Sequence, residues 1–187
     1  MNLSLLIILP FITSLGILFA RGLKQVRLIA FIGASLQLLL CLSLFYFYHQ
    51  ERAKGNMSNF LFEDGYVWYK SLGFNYHIGA DGVSVAMILL TAFVVIAGVL
   101  VSWKTEKMNK EFFFLLILLS LGAYGFFISL DLFTLFFFLE LAVIPKFLLI
   151  GIWGSGKKEY SAMKLALMLM GGSALVFVGL AGLYFNT

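Results

Sequence analysis

An all-α integral membrane fold with about six membrane-spanning helices is what this sequence predicts. Three observations carry the prediction. The 187-residue chain is 62% hydrophobic and only 12% charged, whereas soluble domains average roughly 45–50% and about 25%. Its mean hydropathy is +1.02. Its apolar residues fall into runs of about the 20 residues that a helix needs to cross a hydrocarbon core about 30 Å thick. An ordinary soluble enzyme does not have this composition, and no basic stripe or motif points to nucleic acid. The net charge of +4 matters through where the charges lie.

Six stretches qualify as spans, near 3–20, 26–48, 82–103, 112–130, 132–153 and 162–185, within a single transmembrane helical domain over 1–187. The first is short and contains Pro10. No Lys or Arg precedes its apolar run, and Arg21, Lys24 and Arg27 follow it, so it is expected to be a retained span rather than a cleaved signal peptide. The fourth and fifth almost touch, with Asp131 as the only punctuation. One helix over 112–153 would be about 60 Å long, twice the core thickness. The chain must therefore turn there, with Ser129 or Asp131 capping the new helix. At the third span, Asp81 is placed to cap through the Val83 or Ser84 N–H. Gly171 and Gly172 in the sixth are expected to permit close helix packing.

Lys and Arg collect on cytoplasmic loops. Arg21, Lys24 and Arg27, then Lys104, Lys107 and Lys110, then Lys157, Lys158 and Lys164 occupy alternate connections and so one side. Arg52, Lys54 and Lys70 lie on the other, in the 49–81 loop. Both chain ends are thus expected on the outer side. The 49–81 segment is expected to be an interfacial loop on the bilayer, with Tyr66, Trp68 and Tyr69 at the membrane–water boundary. His49 and His77, without paired ligands, fit that boundary better than a metal or haem. Cys41 is the only cysteine, which excludes an intrachain disulfide and fits a small apolar residue in a helix.

The fifth span, "LFTLFFFLELAVIPKFLLIGIWG", places a carboxylate, Glu140, nine residues past Asp131. That is about 13 Å along the helix, near mid-membrane. An acid there costs a few kcal/mol unless it is protonated or faces a polar interior with a cation. Both conditions suit a proton carrier; the alternative is an ion pair that only fixes packing. Pro145 has no N–H, so it leaves the Leu141 carbonyl without its helical partner, one residue from Glu140. Lys146 is about 240° round the helix from Glu140 and reads as a snorkelling or inter-subunit residue. Lys164 is either one more cytoplasmic charge or a residue of a proton path.

Three segments, "LGFNYHIGADGVSVAMILLTAFV", "SLDLFTLFFFLELAVIPKFLLIGIWG" and "YSAMKLALMLMGGS", together resemble the proton-translocating, antiporter-like membrane subunits of respiratory complex I. The likeness runs along essentially the whole chain. It implies a fourteen-helix fold built from inverted five-helix repeats, of which this chain resembles the N-terminal portion. Glu140 falls on the family's essential glutamate, whose lysine partner lies on a later helix, beyond Thr187. The resemblance implies no cofactor bound by this chain, with NADH, FMN, iron–sulfur clusters and quinone elsewhere in the complex. It also implies other complex I membrane subunits as partners, a bilayer setting in a bacterial inner membrane, and no binding of NADH or quinone by these residues. Two positions depart from the family: Leu139 stands where Trp is usual, and Lys146 where an apolar residue such as Met is common. A subunit of an Mrp-type Na+/H+ antiporter, without redox partners, is the alternative.

Overall fold

A computed structural model describes residues 2–56, 58–69, 74–104 and 108–186. Six α-helices follow one another: α1 (Leu5–Phe19), α2 (Leu23–Ala53), α3 (Gly82–Val101), α4 (Asn109–Ile128), α5 (Leu132–Trp153) and α6 (Lys158–Asn186). Between α2 and α3 stands an antiparallel hairpin of β1 (Leu61–Tyr69) and β2 (Phe74–Ala80). Five of the described helices are long and apolar enough to cross a membrane, and α1, with 15 residues, is shorter.

The bundle's inner contacts are unevenly close. Gly122 and Gly125 let α4 approach α5. A Cβ on Gly122 would lie 2.9 Å from the Ala142 Cβ, and one on Gly125 would overlap the Phe138 ring. In lipid, apolar burial between helices gains little transfer energy, so such close contact is the main attractive term. The outward faces are rich in large apolar side chains, among them Phe11, Ile12, Leu39, Val94, Leu167 and Leu175, as lipid contact requires.

Gly171 and Gly172 do not behave as expected. A Cβ on either would meet no described atom within 4 Å, because both lie on the exposed side of α6 and not against α5.

The hairpin replaces the expected interfacial loop. Its strands are rich in aromatic and β-branched residues, the types that strands favour, and pair from Leu61 with Ala80 to Tyr69 with Phe74 through two irregularities. One side packs down. Ile78 and Ala80 are fully buried with Tyr124 and Ile128. The His77 carbonyl accepts from the Leu130 N–H at 2.9 Å, and Ile78 bridges to Ser129. The hairpin is therefore tied to the α4–α5 corner. On its exposed side, His77 Nε2 lies 3.5 Å from Glu63 Oε2. Lys70 and Lys107 lie outside the described residues, as do the side chains of Trp68 and Tyr69.

Helix α2 runs five residues past its expected end at 48. Arg52 accounts for the extension. Its guanidinium lies 5.2 Å from the Tyr48 ring centroid and donates to the carbonyls of Asn56 and Ser58 at 3.1 and 2.8 Å, linking the last turn to the segment that enters the hairpin.

Helix directions alternate, so the hairpin, the start of α1 and the end of α6 share one end of the bundle. Arg21, Lys24, Arg27, Lys104, Lys110, Lys157 and Lys158 gather at the other.

Candidate functional site: a carboxylate inside helix α5

Asp131 starts α5. Its carboxylate accepts from the Phe133 and Thr134 N–H groups, each at 3.1 Å, satisfying donors that the first turn leaves open. Ser129, the other capping candidate, closes the preceding helix instead: its hydroxyl donates to the Gly125 carbonyl at 2.6 Å. From the Asp131 cap the helix runs unbroken through Pro145 to Trp153. At the far end Lys158 Nζ donates to the Ile152 carbonyl at 2.8 Å, a cation on a helix C-terminus. Asp81 caps α3 in the same manner, accepting from the Ser84 N–H at 2.7 Å. The hydrogen bonds from Ser84 hold its carboxyl below the usual carboxylate range.

Two faces of α5 are occupied. Phe138 and Ala142 pack on the glycines of α4. The face about 200° away carries Phe136, Glu140 and Gly151 and meets α6. There the Phe136 and Phe177 rings are 5.5 Å apart, and a Cβ on Gly151 would meet Ala162 at 3.6 Å. These two contacts fix one antiparallel register, in which each step up α5 is a step down α6. Glu140 is four residues past Phe136, and Ser173 is four before Phe177. The register therefore sets Glu140 level with Ser173.

Among the described side chains of α6, Ser173 is buried and polar, 7% exposed, on a helix whose outer side is largely uncovered. Its hydroxyl donates to the Met170 carbonyl at 3.0 Å, which leaves its oxygen lone pairs free. Glu140 is partly buried, and its Oε1 is shielded from solvent with no hydrogen-bonding partner among the described residues. The ion pairs among those residues, Lys54–Glu51 and His77–Glu63, do not involve it.

None of the three lysines on these two helices stands beside the acid, and Lys158 is occupied at the far end of α5. Lys146 is six residues on and round the helix from it. Lys164 is exposed and nine residues from Ser173 on α6. That places it about 13 Å from the level of Glu140 and on the opposite face of its helix. Pro145 is buried within α5. Ser173 escapes a sequence search because a serine in a long apolar run is common; only the α5–α6 register singles it out.

The family described as "NADH:quinone oxidoreductase/Mrp antiporter, TM" matches residues 129–187, the segment that contains Glu140 and α6. The chain is 33% identical over 183 residues to NAD(P)H-quinone oxidoreductase chain 4, chloroplastic, of Illicium oligandrum, covering 97% of this chain and 36% of the relative. It is 37% identical over 164 residues to NADH-quinone oxidoreductase subunit M of Buchnera aphidicola subsp. Schizaphis graminum, covering 85% of this chain and 32% of the relative. The chain thus spans about a third of the length of these relatives. Among solved structures, a chain of the membrane-bound sulfane sulfur reductase, an archaeal respiratory membrane complex, superposes with a TM-score of 0.79 at 25% identity over 99% of this chain and 37% of that one. A chain of respiratory complex I from Thermus thermophilus with bound NADH gives a TM-score of 0.75 at 24% identity, over 91% and 33% respectively, a likeness of fold. Sequence and fold together show that the chain belongs to the family of antiporter-like membrane subunits of complex I.

Proposed function

We propose that this chain is a proton-translocating membrane element of a redox-driven NADH:quinone oxidoreductase, with Glu140 as the carboxylate that carries the proton. The observation that supports the reading most directly is Glu140 itself, an acid at mid-helix whose Oε1 is shielded and unpartnered among the described residues. Protonation from one side gives a neutral carboxyl. A cation brought near stabilises the carboxylate and releases the proton onward. No described lysine stands at the level of Glu140, and the resemblance to the family assigns the partner lysine to a later helix. Ser173, level with the acid, offers an oxygen that accepts from the protonated carboxyl. Its hydroxyl can turn from Met170 to donate to the ionised one. NADH, flavin, iron–sulfur clusters and quinone act elsewhere in the complex, and this chain contributes only helices and a proton site.

We further infer that the Lys- and Arg-rich end faces the cytoplasm and the hairpin the outer side of a bacterial inner membrane. The curated relatives above are oxidoreductase subunits, which favours a redox-driven complex over an antiporter without redox partners.

The test is Glu140→Gln, which keeps size and hydrogen bonding but cannot cycle a proton. In inverted membrane vesicles driven by NADH, proton uptake should fall at least about tenfold while assembly of the complex is unchanged. Unaltered uptake would reject the protonic role.

A further inference from the structure

A second polar site lies in the other half of the bundle, away from Glu140. It begins with Pro10. Proline has no N–H, so the carbonyl of Leu6, four residues earlier, loses its helical hydrogen bond. Gln37 of α2 supplies the replacement: its Nε2 donates to the Leu6 carbonyl at 3.1 Å. That bond orients the amide, because the nitrogen must point to Leu6 and the oxygen must point away. Gln37 is only 4% exposed, and no donor among the described residues reaches its Oε1. A buried acceptor left in that condition costs about 1–3 kcal/mol.

Gln37 lines a cavity together with Pro10, Thr13 and Ser120. Its volume is about 190 Å3 counting the space at its opening, and its interior has room for about one water. Both hydroxyls have already spent their protons on their own helices. Thr13 Oγ1 donates to the Leu9 carbonyl at 2.8 Å and Ser120 Oγ to the Ile117 carbonyl at 2.7 Å. Each therefore presents an acceptor oxygen. The lining thus joins three acceptors and a space of molecular size. What satisfies them is a small molecule with two donors, and the space admits nothing larger than water.

We propose that this cavity is a binding site for one structural water molecule. It donates one hydrogen bond to Gln37 Oε1 and the other to Thr13 Oγ1 or Ser120 Oγ. The water joins α1, α2 and α4 where Pro10 interrupts the backbone bonding of α1. Its role is to complete the polar lining of a helix break, and it does not depend on the proton-carrying role of Glu140.

The experiment is a cryo-electron microscopy map of the membrane complex containing this chain, at a resolution that shows waters, for the native sequence and for Gln37→Leu. The native map should show one peak at about 2.7–3.2 Å from Gln37 Oε1, and the Gln37→Leu map should lose it. A native cavity without a peak, or a peak that persists in Gln37→Leu, would overturn the assignment. Should Gln37→Leu fail to assemble, the paired variant Thr13→Val with Ser120→Ala serves instead. It keeps the Leu6 bond and should lower the occupancy of the peak by half or more; full occupancy would count against the site.

Discussion

At the scale of single residues, the polar side chains inside the bundle carry the chemistry: Glu140 with a shielded Oε1, and the buried Ser173 and Gln37. Glu140 stands out because an acid in an apolar run is costly. Ser173 and Gln37 do not, since neither carries a charge and each becomes conspicuous only beside a neighbour from another helix. Ser173→Ala tests the neighbour of the acid. If its oxygen serves Glu140, losing one hydrogen bond of about 1 kcal/mol should slow NADH-driven proton uptake roughly fivefold, and Ser173→Thr, which keeps the hydroxyl, should restore it. A purely spatial role would leave the alanine variant fast. Asp81 gives a test by pH. Its carboxyl lies below the usual range because Ser84 hydrogen-bonds it, so the folded pKa is under the unfolded value of about 3.9. The stability it adds is complete above that value and is lost as pH falls through the lowered pKa. Acid unfolding followed by circular dichroism should therefore begin at higher pH for Asp81→Ala. Asp81→Asn, a competent cap without a titrating group, should flatten that part of the curve.

Among elements, the contrast between two kinds of glycine is the sharpest. Gly125→Ala drives a methyl group into the Phe138 ring and should lower stability by about 1–3 kcal/mol. Gly171→Ala meets no described atom within 4 Å and should be neutral or slightly stabilising through helix propensity. Thermal unfolding of the detergent-solubilised protein separates the two. The sequence pairs Gly171 with Gly172 and so suggests packing, whereas Gly125 sits inconspicuously before two phenylalanines; register, which decides contact, is not written in a local window. The same limit explains the hairpin. Aromatic residues such as Tyr66 suit a membrane boundary and a strand equally, and only the long-range pairing with residues near 76 distinguishes them. The helices themselves were legible, because span length and the turn at Asp131 follow from bilayer thickness and the rise of a helix.

For the whole molecule, the arrangement of charge and the single thiol provide a direct probe of orientation. Cys41 is 1% exposed, so an added cysteine can be labelled without removing it. In sealed right-side-out vesicles an impermeant maleimide should label Tyr66→Cys, on the hairpin, and spare Ser155→Cys, between α5 and α6; inside-out vesicles should reverse the pattern. The opposite result would turn the chain over in the membrane and with it the sense of proton movement. The alternation of charged connections made the two ends of the bundle readable from sequence. The place of Glu140 within α5 was equally readable, whereas no described residue supplies a cation at its level.

The tie between β2 and the α4–α5 corner has a consequence for biosynthesis. Ile78 pairs with Ser129, a residue the ribosome reaches 51 residues later. At about 5–20 residues per second, the hairpin waits several seconds for its anchor. Both α3 and α4 are synthesised within that interval.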